Sequence, residues 1–126
     1  LMNLERINPE NIWAAPGYSH VVKAGNTVYI AGQVGRKPDG TLAGTDVESQ
    51  TDQIFKNLIA ALESVGGGLD NLVKTMVYVT DAANLPGFKK VINKYLTDNL
   101  PAQTGVIVKL GTPEFKIEIE AIAVIP

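Results

Sequence analysis

From Phe115 to Val124 the chain reads FKIEIEAIAV, with Ile117, Ile119 and Ala121 alternating against Glu118 and Glu120. A period of two is that of a β-strand with one apolar face and one mixed face. Such a strand needs neighbours in a sheet and a covering layer over its apolar side. The rest of the sequence supplies both. SHVVKAGNTVYIAGQ reads as two short β-rich runs joined at Gly25-Asn26, and Arg6 falls in a first strand near the N-terminus. RKPDGTLAG follows as a loop. LVKTMVYVT places Val73, Thr75, Val77 and Val79 at alternate positions, TGVIVKL is a further strand, and Gly111-Thr112-Pro113 turns the chain toward the last one.

The covering layer comes from two helices. Asp46 is set as the N-cap of one that runs to about Val65, with Ile54, Phe55, Leu58, Leu62 and Val65 along one stripe. Gly66, Gly67 and Gly68 come at its end, as C-capping glycines do, whereas the glycines of a phosphate cradle precede a helix. The second spans about Leu85 to Leu96, with Pro86 in its first turn and Leu85, Phe88, Val91, Ile92 and Tyr95 on one face. The order ββ-α-β-α-ββ makes an α+β fold: one sheet with both helices on one face. Lys74, Met76, Tyr78 and Thr80 then share the other face with Glu118, Glu120, Ile122 and Val124. That surface is too apolar to suit water alone, so self-association is expected, with clefts between subunits.

At 126 residues the chain suits a single domain, residues 1–126, with Leu1 ahead of Met2 read as an added residue. It has no cysteine, which excludes disulfides, thiolate metal sites and a cysteine nucleophile, and fits a reducing, cytoplasmic setting. Its one histidine, His20, argues against a histidine-based metal centre or catalytic triad and reads as a strand residue. A formal net charge of −2 argues against a nucleic-acid surface, and the sequence shows neither a membrane-spanning run nor a signal-peptide pattern.

Several stretches carry a resemblance: AGQ at Ala31 to Gln33, QTDQIFKNLIAALESVGGGLDNLVKTMVYVTD, Asn93 in VINKY, and above all PAQTG followed by KIEIEAIAV. From about Ile7 to Val124 the chain resembles the RidA/YjgF family of reactive-intermediate deaminases. The resemblance implies a chorismate-mutase-like fold and a homotrimer with pockets at subunit interfaces. It implies hydrolysis of enamines and imines such as 2-aminoacrylate without metal or cofactor. Carried over residue by residue, Tyr18 falls near the family's pocket tyrosine, and Gly32 matches the glycine before the pocket glutamine. Asn93 matches a helix asparagine, and Glu118 the glutamate that holds or activates water.

One position departs from the pattern. Where the family has a carboxylate-binding arginine directly after Pro-Ala, this chain has Gln103. Arginine presents a permanent charge on a planar fork of donors, whereas glutamine presents a neutral amide. Losing a desolvated charge pair costs on the order of 2–5 kcal/mol, roughly thirtyfold to several thousandfold in binding or rate. The chain has two arginines, Arg6 and Arg36. Arg36, in GRKPDG after the AGQ strand, reads either as a cation at the pocket mouth or as a solvated loop charge. Trp13 reads as an anchor for the N-terminal segment. Two functions follow: a C=N hydrolase for substrates other than the usual 2-imino acids, or a non-catalytic trimer that is a small-metabolite-binding or protective module.

Overall fold

The computed structural model describes residues 3–126, so Leu1 and its reading as an added residue lie outside the described residues. In chain order the elements are β1 (Leu4–Ile7), β2 (Val21–Ala24), β3 (Thr27–Gln33), α1 (Val47–Glu63), β4 (Leu72–Val79), α2 (Leu85–Tyr95), β5 (Ala102–Ile107) and β6 (Ile117–Val124). Single 3₁₀ turns at Leu69–Asn71 and Ala82–Asn84 lead into β4 and α2. Six strands form one sheet in the order β1-β2-β3-β6-β4-β5. The β4–β5 pair is parallel and the others are antiparallel. The α+β class and both helices agree with the sequence reading. The strand expected around Arg6 forms and pairs with β2, so three strands precede α1 where the order ββ-α-β-α-ββ counts two.

Local chemistry accounts for the boundaries. The Asp46 carboxylate accepts a hydrogen bond from the Ser49 N–H and caps α1. At the other end Gly67 N–H donates to Leu62 C=O, with Gly66 at φ +79° making the reversal that a residue with a Cβ resists. The α1 stripe of Ile54, Phe55, Leu58 and Leu62 is buried against Val28, Ile30, Ile117, Ile119 and Ala121 of the sheet. Each such side chain contributes roughly 1.5–3 kcal/mol. Phe88 and Val91 bring α2 into the same core, and Tyr95 stacks on Phe55 with ring centroids 4.8 Å apart.

Two details depart from simple alternation. Register slips between Leu72 and Lys74 on β4, so Val73 is exposed instead of facing the helices with Thr75, Val77 and Val79. β5 begins at Ala102, and it does not fold back onto β6: β4 lies between them. The face away from the helices carries Tyr29, Ile122 and Lys74 in one cross-strand row, and Glu118 and Tyr78 in another. Tyr29, Val106 and Val124 are exposed there. Among the described residues no helix is long and apolar enough to cross a membrane.

Candidate functional site

β6 delivers Glu118 to the outer face of the sheet, next to β3, where the chain reaches Gly32. Close approach is the reason for glycine here. A Cβ on Gly32 would stand 2.9 Å from Glu118 Cδ and 3.1 Å from Cγ, and would run into Oε2. The glutamate lies half-buried across this bare stretch of backbone. Loss of solvent, and then the charge of Glu120 two residues along the same face, push its carboxyl above the usual range. Glu120 is engaged elsewhere, since it accepts a hydrogen bond from the Tyr78 hydroxyl.

Around Glu118 and Gly32 is a cleft of about 220 Å³ that also takes in Tyr18, Gln33, Arg36, Ile12, Trp13 and Phe115. Its walls are loops, fixed by polar side chains. His20, 4% exposed, lies just ahead of β2. A carbonyl can only accept, so the 2.7 Å contact between His20 Nε2 and the Trp13 C=O puts the ring proton on Nε2. Nδ1 is then an acceptor for Gln33 Nε2 at 3.0 Å, and the same amide nitrogen donates to Ala31 C=O. Both ring nitrogens are engaged, so His20 anchors the entry segment from a bend just outside β2, not from within a strand as its sequence context suggests.

The opposite wall is held from α1. Asn57 Nδ2 donates to the carbonyls of Val34 and Arg36. Gln50, fully buried, donates to the carbonyls of Gly44 and Glu114 and accepts from the Lys116 N–H. Two amides on the inward face of one helix thus fix the loop bearing Arg36 and the loop bearing Phe115. The Arg36 guanidinium carbon lies 4.2 Å from the centroid of the Trp13 ring and 5.3 Å from that of Phe115, both within cation–π range.

Of the six residues singled out from sequence, Tyr18, Gly32, Arg36 and Glu118 line this cleft. Asn93 and Gln103 do not. They line a separate groove of about 400 Å³ between α2 and the start of β5, with Phe88, Ile92, Leu96 and Pro101. Gln103 pairs in register with Thr75, whose side chain faces the helices, and its Oε1 accepts from the Thr75 hydroxyl at 3.3 Å. The two groups therefore sit on opposite faces of the sheet, and one chain does not join them. Asn93 is exposed on α2 and makes no side-chain hydrogen bond among the described residues.

The sequence reading missed Ile12, Phe115 and the ring of Trp13 as cleft lining. It took Trp13 as an anchor, which describes its carbonyl and not its indole. A signal for the loop supports was present: Gln50 and Asn57 are spaced seven apart on the apolar side of α1, where polar residues need internal partners.

A family model described as Endoribonuclease L-PSP matches residues 9–125. A RutC family protein of Pyrococcus horikoshii is 36% identical over 107 residues, 84% of this chain and 85% of that protein. The 2-iminobutanoate/2-iminopropanoate deaminase of Rattus norvegicus is 35% identical over 112 residues, 88% of this chain and 82% of its own length. The crystal structure of RidA from an Antarctic Psychrobacter matches with a TM-score of 0.90 at 36% identity, covering 96% of this chain and 99% of that one. With nearly the whole length matched in sequence and in fold, the chain belongs to the RidA/YjgF family.

Proposed function

We propose that this protein hydrolyses an enamine or imine, and that its substrate is not one of the usual 2-imino acids. The carrying observation is Glu118, a half-buried carboxylate raised in pKa by its surroundings, in a small cleft beside Gly32 and Tyr18. An enamine first tautomerises to its imine; water then adds across C=N to give a carbinolamine, which collapses to a carbonyl and ammonia. Glu118 takes a proton from the attacking water and passes it to the imine nitrogen, then takes the carbinolamine hydroxyl proton and passes it to the departing amine. A carboxyl with an elevated pKa suits both halves of that exchange. No metal or cofactor enters the proposed chemistry.

The working unit is a homotrimer in which the cleft of one subunit meets the Asn93–Gln103 groove of its neighbour. Two half-sites on opposite faces of one sheet, and an outer face that exposes Tyr29, Val106 and Val124 among its polar residues, support this assembly. Gln103 supplies an amide where a charged fork is expected, and that moves the preferred substrate away from 2-aminoacrylate. The same residue favours a second reading, a non-catalytic trimer that binds a small metabolite. The family model's description names an endoribonuclease; a net charge of −2 gives little attraction for phosphates.

Ammonia release from 2-aminoacrylate tests the proposal. The wild type is expected to show little, and Gln103→Arg to gain roughly thirtyfold or more. Adding Glu118→Ala to Gln103→Arg is expected to abolish the gain. A wild-type rate matching arginine-bearing relatives would refute the substrate shift. Silence from Gln103→Arg would instead favour the binding protein.

A further inference from the structure

The cleft contains a cation that the described residues leave unneutralised. Arg36 lines it together with Glu118, yet no ion pair joins them. Among the described residues the Arg36 guanidinium takes part in no hydrogen bond or salt bridge, and its recorded partners are the rings of Trp13 and Phe115. The backbone beneath it is tied down. Its N–H donates to Val34 C=O at 2.7 Å, its C=O accepts from Asn57, and it forms a bridge with Leu42.

A guanidinium lying over an aromatic ring keeps its in-plane N–H donors free, and those donors match a carboxylate in pairs. Aromatic contact also limits the side chain's rotamers, so less freedom is lost when a ligand binds. A long arginine placed for solvation alone needs neither two rings nor a backbone held from α1. At about 220 Å³ the cavity lies below the range for drug-sized ligands and suits a small metabolite. Ile12, Trp13 and Phe115 offer that molecule apolar contact.

We propose that Arg36 is the carboxylate-binding residue of this cleft. Its ligand is then a small monocarboxylate with a short apolar body, its acid group at Arg36 and its other end toward Glu118, the reacting carbon lying further from the carboxylate than in a 2-imino acid. The carboxylate would thus be held on the Glu118 side of the sheet, away from Gln103. This deepens the reading above by using the same cleft, but it holds whether or not a bond is hydrolysed there.

Butyrate and its neutral counterpart butyramide are the probes, titrated into the ¹⁵N-labelled protein at concentrations up to roughly 10 mM, where millimolar affinity is measurable. Butyrate is expected to shift the Arg36 side-chain N–H, the Trp13 indole N–H and the Gly32 amide. Butyramide is expected to bind roughly tenfold more weakly or worse. Arg36→Gln should weaken butyrate about as much, while Arg36→Lys retains part of the affinity because charge remains without the fork. Equal binding of acid and amide, unchanged binding in Arg36→Gln, absence of butyrate shifts, or shifts confined to the α2–β5 groove would each overturn the assignment. The acid–amide comparison uses the wild type, so it stands even if a variant misfolds. Ammonia release is read separately. Butyrate binding through Arg36 without turnover of any imine removes the hydrolase alone, and turnover without butyrate binding removes the Arg36 site alone.

Discussion

Replacing Gly32 with alanine is expected to separate stability from function. The new Cβ would lie 2.9 Å from Glu118 Cδ, whereas carbon atoms rest at about 3.5–4.0 Å. The carboxyl must therefore withdraw by roughly 0.6–1.1 Å. It can do so, because the obstacle is the end of a flexible side chain and Gly32 is not among the glycines with positive φ. Strand glycines are about 0.5–1 kcal/mol worse than alanine, which offsets the steric cost, so the melting temperature should barely move. A catalytic group displaced by about 1 Å loses on the order of a hundredfold in rate. Burial is the main cause of the raised Glu118 pKa, so a carboxyl pushed toward water should titrate closer to an ordinary glutamate. Side-chain carboxyl ¹³C shifts followed through a pH titration, with a thermal melt, measure both effects. An unmoved Glu118 titration in a folded Gly32→Ala protein would refute the geometric argument. So would a Gly32→Ala loss of activity that persists undiminished when Glu118 is already alanine.

Glu118→Gln should be more heat-stable than the wild type at neutral pH. The raised native pKa means the protonated form is favoured by folding, so its contribution is full below the unfolded value of about 4.3 and disappears as pH rises through the native value. Melts across pH should show the two proteins converging in acid and separating above it; a constant gap would contradict this. Asn57→Ala should cost about 2–3 kcal/mol, because the Val34 and Arg36 carbonyls lose a buried donor. Denaturant unfolding measures that loss, and the butyrate titration should weaken in parallel as the Arg36 loop loosens.

The scaffold was legible wherever local chemistry and global packing ask for the same residues. Asp46 at the α1 cap, the Ile54–Leu62 stripe and the Ile117–Ala121 alternation each state their position without outside help. Val73 was not legible, because strict alternation holds only while register holds, and the slip between Leu72 and Lys74 turns it outward. Glu118 and Gly32 were found through a motif, since a half-exposed strand glutamate looks the same whether or not it works on a substrate. The clustering of Trp13, Arg36 and Phe115 depends on loops brought together by His20, Gln50 and Asn57, and no short-range pattern reports such a meeting. Asn93 and Gln103 were grouped with Glu118 by the same motif, and the sheet keeps them apart within one chain.

The position of β6 has a consequence for how this protein is made. It lies between β3 and β4, so both strands are synthesised well before the one that separates them. Until it arrives, their facing edges stay unpaired and the floor beneath α1 is missing, a condition that invites wrong pairing with other chains. Such long-range closure is slow compared with the local helices and the β2–β3 hairpin. A nascent chain stalled before Ile117 would therefore be a client for chaperones or proteases, and an early stop codon in that stretch should remove the protein from the cell rather than leave a partly active one. The strand that brings Glu118 to the cleft also completes the sheet, so the cleft cannot assemble before the sheet closes.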